Sequence, residues 1–134
     1  MKTKNFVLDS FALLAYFQGE PGGTTVRDIL KEASAGSVSV MLPVVNLGEI
    51  YYIVARKRGR ETALAIVEDI SRLPVQLLDA GTDRVIAAAD IKARHPLSYA
   101  DAFVAAAAEE YAATIVTGDP EFKQLESHLP VLWL

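Results

Sequence analysis

The sequence predicts an α/β fold, a mainly parallel β-sheet with helices on both faces. Short β-branched and aliphatic runs, such as NFVL, VSVML and TIV, alternate with longer segments whose apolar residues recur at helical spacing. The runs themselves carry little polar character. Acidic residues stand just beyond apolar segments spread over the whole chain: Asp9 after NFVL, Glu49 after VMLPVVNLG, Asp101 in PLSYAD and Asp119 in TIVTGD. A parallel sheet gathers the carboxyl ends of its strands at one crevice, so such residues can meet there.

Taken in order, residues 5–8 form the first strand, followed by a short helix through Phe11, Leu14 and Phe17. Gly19-Glu20-Pro21-Gly22-Gly23 breaks the chain, and a second helix starts at Thr24 or Thr25 and stops near Gly36. The second strand covers residues 38–42. Beyond Pro43, Val44, Val45, Leu47, Ile50, Tyr51 and Val54 follow helical spacing up to Gly59, and another helix over residues 61–73 completes a helical hairpin. Residues 75–78 form the third strand. Thr82 and Asp83 start a helix that Pro96 ends, and Ser98 caps the next, whose alanines let it lie close to a sheet. Residues 114–116 are the fourth strand, Asp119-Pro120 opens a short helix with Phe122 and Leu125, and residues 131–134 form a last strand at the sheet edge. Right-handed crossovers put helices on both faces.

The 134 residues fit one domain, 1–134, with no repeat, low-complexity tract or linker. Hydrophobic residues make up 51%, but charged or polar residues interrupt every apolar run well short of a membrane span. The N-terminal MKTKNFVLDSF has two lysines before its apolar run, but Asp9 ends the run and no small-residue cleavage site follows. The chain therefore reads as a cytoplasmic protein with no membrane partner. Without cysteine it has neither disulfides nor thiolate ligands, so a metal must be held by oxygen or histidine.

The net charge of −4 argues at first against a nucleic-acid partner, but leaving out the four carboxylates named above brings it to zero. Bound cations would offset those four in any case. Arg56, Lys57, Arg58 and Arg60 form the clearest basic cluster, around Gly59. Cations are favoured at a helix C-terminus, so the cluster reads either as a solvated helix end or as a phosphate-contacting patch.

Taken singly, each acidic residue reads as a helix cap. Ser98-x-x-Asp101 is a capping-box variant, Asn46-x-x-Glu49 has the same spacing, and Asp119-Pro120 is a cap followed by proline at the first helical position. Capping does not explain why Asp9 and Asp119 directly follow strands while Glu49 sits one to two turns into a helix after another. Carboxylates gathered at one place repel each other, and a divalent ion removes that conflict. Mg2+ or Mn2+ prefers oxygen ligands and completes its shell with waters and phosphate oxygens, which suits phosphodiester hydrolysis.

The set FVLDSFALLA, VVNLGEI, LSYADAFVAAAA and IVTGDPEF, in this order and over nearly the full length, resembles PIN-domain proteins, in particular VapC-type toxic ribonucleases of toxin–antitoxin pairs. The resemblance implies a three-layer α/β/α PIN-like domain with a central, mainly parallel sheet. It also implies Mg2+- or Mn2+-dependent endonuclease activity on RNA, a homodimer, and a VapB-type antitoxin that covers the active site. Asp9, Glu49, Asp101 and Asp119 take the family's acidic positions, and Thr117 its supporting small hydroxyl. Asp9 and Asp101 are then the principal metal ligands. Glu49 is a ligand or orients the attacking water, and Asp119 is a ligand or supports one. Ser10 and Asn46 are candidates for hydrogen bonds behind these groups.

Two other readings compete. A phosphatase or phosphotransferase of another parallel α/β fold would use Asp9 as nucleophile, but Phe11 stands where such enzymes carry a second aspartate. A non-catalytic α/β binding module would use the carboxylates only as caps. His95, before Pro96 at a helix end, and His128, in a C-terminal turn, read as exposed and uninvolved. Trp133, Phe6, Phe11 and Phe103 read as core, and Tyr16, Tyr51 and Tyr52 as core or as a partner surface.

Overall fold

A computed structural model describes residues 4–134. Lys2, one of the two lysines before the first apolar run, lies outside the described residues. The elements run β1 (Lys4–Leu8), α1 (Ser10–Gln18), α2 (Gly23–Ser34), β2 (Val38–Pro43), α3 (Val44–Arg58), α4 (Arg60–Ser71), β3 (Gln76–Leu78), α5 (Thr82–Arg94), α6 (Tyr99–Tyr111), β4 (Thr114–Thr117), a 3₁₀ segment (Pro120–Leu125) and β5 (Val131–Trp133). The order predicted from sequence is the order observed. The boundaries shift: α2 begins at Gly23, β3 begins at Gln76, and the last helical stretch is a 3₁₀ turn.

The five strands make one parallel sheet in the order β3-β2-β1-β4-β5. Its register explains how two cores are built from one sheet. Val7 lies beside Met41 on one side and Ile115 on the other, and all three face a core shared with α5, α6, Phe122 and Leu125. One residue away, Phe6 pairs with Val40, and Leu8 with Val116. This second row packs against α1, α2, α3 and α4. Successive strand residues point to opposite faces, and the inner residues Phe6, Val7, Leu8, Val40, Met41, Leu42, Ile115 and Val116 are apolar on both because helices cover each face. The result is three layers, α/β/α.

The alanine run of α6 does what its size suggests. Ala102, Ala105, Ala106, Ala107 and Ala108 are all buried, which lets the helix backbone approach the sheet. On the other face Gly23 makes the close crossing of α1 and α2 possible, since a Cβ there would lie 2.6 Å from the Ala15 carbonyl oxygen.

Strand order also fixes where a site can form. The chain leaves β1 toward β2 and β3, then returns to the other side of β1 for β4, so the connections diverge at the carboxyl ends of β1 and β4. Open parallel sheets bind their ligands at such a point.

Phe6 and Phe103 are core residues as expected, but Phe11 is 42% exposed, because α1 turns Ala12, Leu13 and Ala15 inward. Tyr52 is exposed, Tyr16 and Tyr51 pack against the core with partial burial, and Trp133 is partly buried. His95 is half-buried rather than exposed, whereas His128 is exposed. Among the described residues no helix is long and apolar enough to cross a membrane.

Candidate active site

Asp9 is the first residue beyond β1. Its backbone is extended, and one carboxylate oxygen accepts the Ala12 amide at 2.8 Å, capping α1. The cap fixes the side chain and leaves the second oxygen, Oδ2, facing the end of β4, where it accepts the Thr117 hydroxyl. Capping and site formation are therefore the same geometry at Asp9. Thr117 Oγ1 in turn accepts the Asp119 amide at 2.9 Å, so one buried hydroxyl joins Asp9 to the turn that carries Asp119. Thr117→Val keeps the shape but leaves Asp9 Oδ2 and the Asp119 N–H without this partner. We expect it to lower stability by about 1–3 kcal/mol in urea denaturation.

Asp101 lies in the first turn of α6, where Ser98 accepts the Asp101 amide at 3.2 Å. In a complete capping box the Asp101 carboxylate would return to the Ser98 N–H. Here Glu121 takes that N–H, at 2.8 Å, and Asp101 is left facing the cleft. Asp101 is 5% exposed, and among the described residues its Oδ2 has no hydrogen-bond partner. The groups around it are carboxylates, which when ionised accept hydrogen bonds but cannot donate them.

Asp119 caps the 3₁₀ segment by accepting the Glu121 amide at 2.9 Å. Oxygens of Asp101, Asp119 and Glu121 all lie within 4.8 Å of one another. Glu49 reaches the same cleft from the second turn of α3. One of its oxygens accepts the Ser10 hydroxyl, and Tyr52 OH stands 3.5 Å from the other. Behind them, the Asn46 carbonyl oxygen lies 3.3 Å and Asn46 Nδ2 3.4 Å from Ser10 Oγ. Asn46 does not cap α3, which begins at Val44 behind Pro43.

The structure thus brings Asp9, Glu49, Asp101 and Asp119 to the wall of one open cleft of about 290 Å³, with Ser10, Ser98 and Glu121, and sets Thr117 directly behind it. Glu121 is the residue the sequence reading missed. The only sequence signal was a second carboxylate two positions after Asp119 in a short helical turn. His95 and His128 lie together at another hollow beside Glu109, and neither borders the cleft.

Burial pushes the Asp9 carboxyl up to about 7, against the Thr117 and Ala12 hydrogen bonds that lower it, and the Asp119 and Glu49 charges push it further up. Asp101 is pushed up to about 8, first by burial, then by a hydrogen bond between its protonated form and the facing Asp119 carboxylate, and then by the charges of Asp119, Asp9 and Glu121. Acids raised in this way, with one buried oxygen lacking a donor, form a cluster that a cation would complete. The donors are all hard oxygens, which fits a hard divalent ion and excludes a thiolate-type site. Asp101, Asp119 and Glu121 stand close enough together to hold one, and Asp9 and Glu49 line the same cleft.

Solved structures share this fold. The DNA-bound VapBC from Salmonella typhimurium superposes with a TM-score of 0.74 at 20% identity, covering 98% of this chain and 98% of that one. VapBC2 from Rickettsia felis bound to a DNA fragment from its promoter gives 0.73 at 15% identity, over 96% and 97%. Mycobacterium tuberculosis VapC20, described as a sarcin–ricin loop cleaving toxin, gives 0.72 at 18% identity, over 92% and 95%. No curated protein matches the sequence. Residues 6–127 match the PIN domain, a span that takes in the sheet from β1 to β4 and every acidic residue of the cleft, and the chain belongs to the PIN domain family.

Proposed function

We propose that residues 1–134 form one cytoplasmic nuclease domain, a Mg2+- or Mn2+-dependent endoribonuclease that acts as the toxin of a VapBC-type toxin–antitoxin pair. Its substrate is RNA, tRNA or ribosomal RNA, whose cleavage stops translation. It works as a homodimer, and a VapB-type antitoxin covers the cleft. The observation that carries the reading is the buried Asp101 Oδ2 without a donor, set among four further carboxylates at the switch point of a PIN-domain sheet. Two of the similar structures are VapBC assemblies, and the third is described as a toxin that cleaves the sarcin–ricin loop.

A bound divalent ion supplies charge to offset the phosphate and lowers the pKa of water. Asp9 and Asp101 are the principal ligands. Asp9 is held rigid because one oxygen caps α1 and the other accepts Thr117. Asp119 is a ligand or supports one, fixed by the Glu121 amide. Glu49, held by Ser10, is a ligand or orients the attacking water. Neither histidine borders the cleft, so this chemistry uses no imidazole base.

A binding module that uses its acids only as caps does not account for Asp101, because the cap of α6 is Ser98 and the Asp101 carboxylate contributes nothing to it. Incubation of pure protein with tRNA and ribosomal RNA, with and without Mg2+, tests the reading. We expect discrete cut ends that appear only with the cation. Intact RNA at every Mg2+ and Mn2+ concentration, or equal cleavage in chelator, would count against it.

A further inference from the structure

The cleft poses a problem for an RNA substrate: its described lining includes five carboxylate-bearing residues and no basic side chain. A polyanion entering it needs attraction from just outside. The structure offers one route. On α3, Glu49, Tyr52 and Arg56 are spaced at i, i+3 and i+7, so they stack along one face of the helix. Tyr52 OH stands 3.5 Å from the Glu49 carboxylate, and the Arg56 guanidinium lies over the Tyr52 ring, 4.9 Å from its centroid. Tyr52 is 44% exposed. Arg56, Lys57, Arg58 and Arg60 are exposed, and among the described residues none of them is in an ion pair. The ridge therefore runs from the acidic cleft through an aromatic ring to unneutralised positive charge.

A second ring stands at the cleft itself. Phe11 lines it, is 42% exposed, and is seated on Gly118, where a Cβ would lie 2.3 Å from the ring. An exposed phenylalanine packed against the backbone at Gly118 presents an apolar face to whatever enters. Bases of single-stranded RNA stack on such faces irrespective of sequence, and an arginine lying over an aromatic ring suits both the phosphate and the base beside it.

The geometry points to a single-stranded RNA track in which Phe11 stacks a base at the cleft, Tyr52 stacks another outside it, and Arg56, at the start of the basic cluster, takes a phosphate. These are substrate-positioning residues, and the inference rests on the ribonuclease reading above. It requires the cleavable strand to be unpaired, since a base in a duplex cannot lie against either ring.

The test uses a fluorescein-labelled random-sequence 12-nucleotide RNA and the full chain carrying Asp101→Asn, so that bound RNA is not cut. Anisotropy is measured in chelator for this protein and for the same protein with Phe11→Ala, Tyr52→Ala or Arg56→Ala added. We expect each aromatic change to weaken binding about tenfold. Arg56→Ala should weaken it by a similar factor and reduce the slope of log affinity against log salt by about 0.7, the value for one phosphate on a single strand. Phe11→Trp should restore binding, a rescue that a purely structural role would not give, and a perfectly paired 12-base-pair RNA should bind the parent protein less tightly. Unchanged affinity and salt slope in all three variants would overturn the track and mean that this face serves a protein partner. Failure of the unmutated protein to cut any RNA would instead overturn the ribonuclease reading, and the track with it.

Discussion

Asp101→Asn is expected to reduce RNA cleavage about a thousandfold or more while making the cation-free protein more stable at pH 8. The first effect follows from removing a principal ligand, since charge stabilisation by a bound ion is worth several kcal/mol and each 1.4 kcal/mol is about tenfold in rate. The second follows from the ground state. Asp101 is buried, its Oδ2 has no donor, and its neighbours are Asp119, Asp9 and Glu121. Asparagine is nearly isosteric, carries no charge, and brings an N–H₂ that donates to those acceptors. Loss of an acidic side chain from the first turn of α6 works the other way, by about 0.3–1 kcal/mol. Relief of a carboxyl pushed up to about 8 outweighs it. The helix cap stays, because it belongs to Ser98. Cleavage assays and urea denaturation in chelator check both halves. A variant that is less stable yet cuts normally would show that Asp101 is a structural residue.

The second large effect is the dependence of stability on pH. Asp9 titrates near 7 and Asp101 near 8 in the folded protein, against an ordinary 3.8. Between these limits the folded state holds protons that the unfolded state has released. The slope of unfolding free energy with pH is then negative. The stability that the protonated acids contribute is fully present below about pH 4 and is lost as pH rises to about 8. A cation changes the sign of the upper part of that range, because it binds the ionised folded form and stabilises it by mass action. Melting curves in chelator are expected to fall steadily from pH 5 to pH 8, and 5 mM Mn2+ to raise the midpoint far more at pH 8 than at pH 5. A cation effect of equal size at both values would mean that the ion acts elsewhere on the surface.

Much of this was legible in the sequence, for identifiable reasons. Asp9 directly follows a strand, Thr117 ends one and Asp119 stands two residues beyond it, and strand ends in a parallel sheet converge whatever the intervening chain does. Glu49 was legible because a residue in the second turn of a helix that follows a strand without a break still points near the strand end. Glu121 was not. Its role depends on a hydrogen bond to Ser98, 23 residues away, and no local pattern records that meeting.

Phe11 was misjudged for a different reason. In α1 nearly every residue is apolar, so periodicity offers no contrast between faces, and the small residues Ala12 and Ala15 take the inner positions with Leu13. The same lack of contrast hid the exposed ring beside the cleft. His95 illustrates a third limit: a residue before proline at a helix end reads as solvent-facing, but here it packs beside Leu125 and Leu129 at a hollow.

Isothermal titration of Mn2+ into the wild-type protein and into Asp101→Asn, both at pH 7.5 and in buffers of differing ionisation heat, bears most directly on the central claim that these carboxylates form one cation site. Saturable binding to the wild type is expected, with protons released from Asp9 and Asp101 as the ion enters, and binding much weakened in the variant with little proton release. Equal binding to both proteins, or no binding to either, would contradict the account.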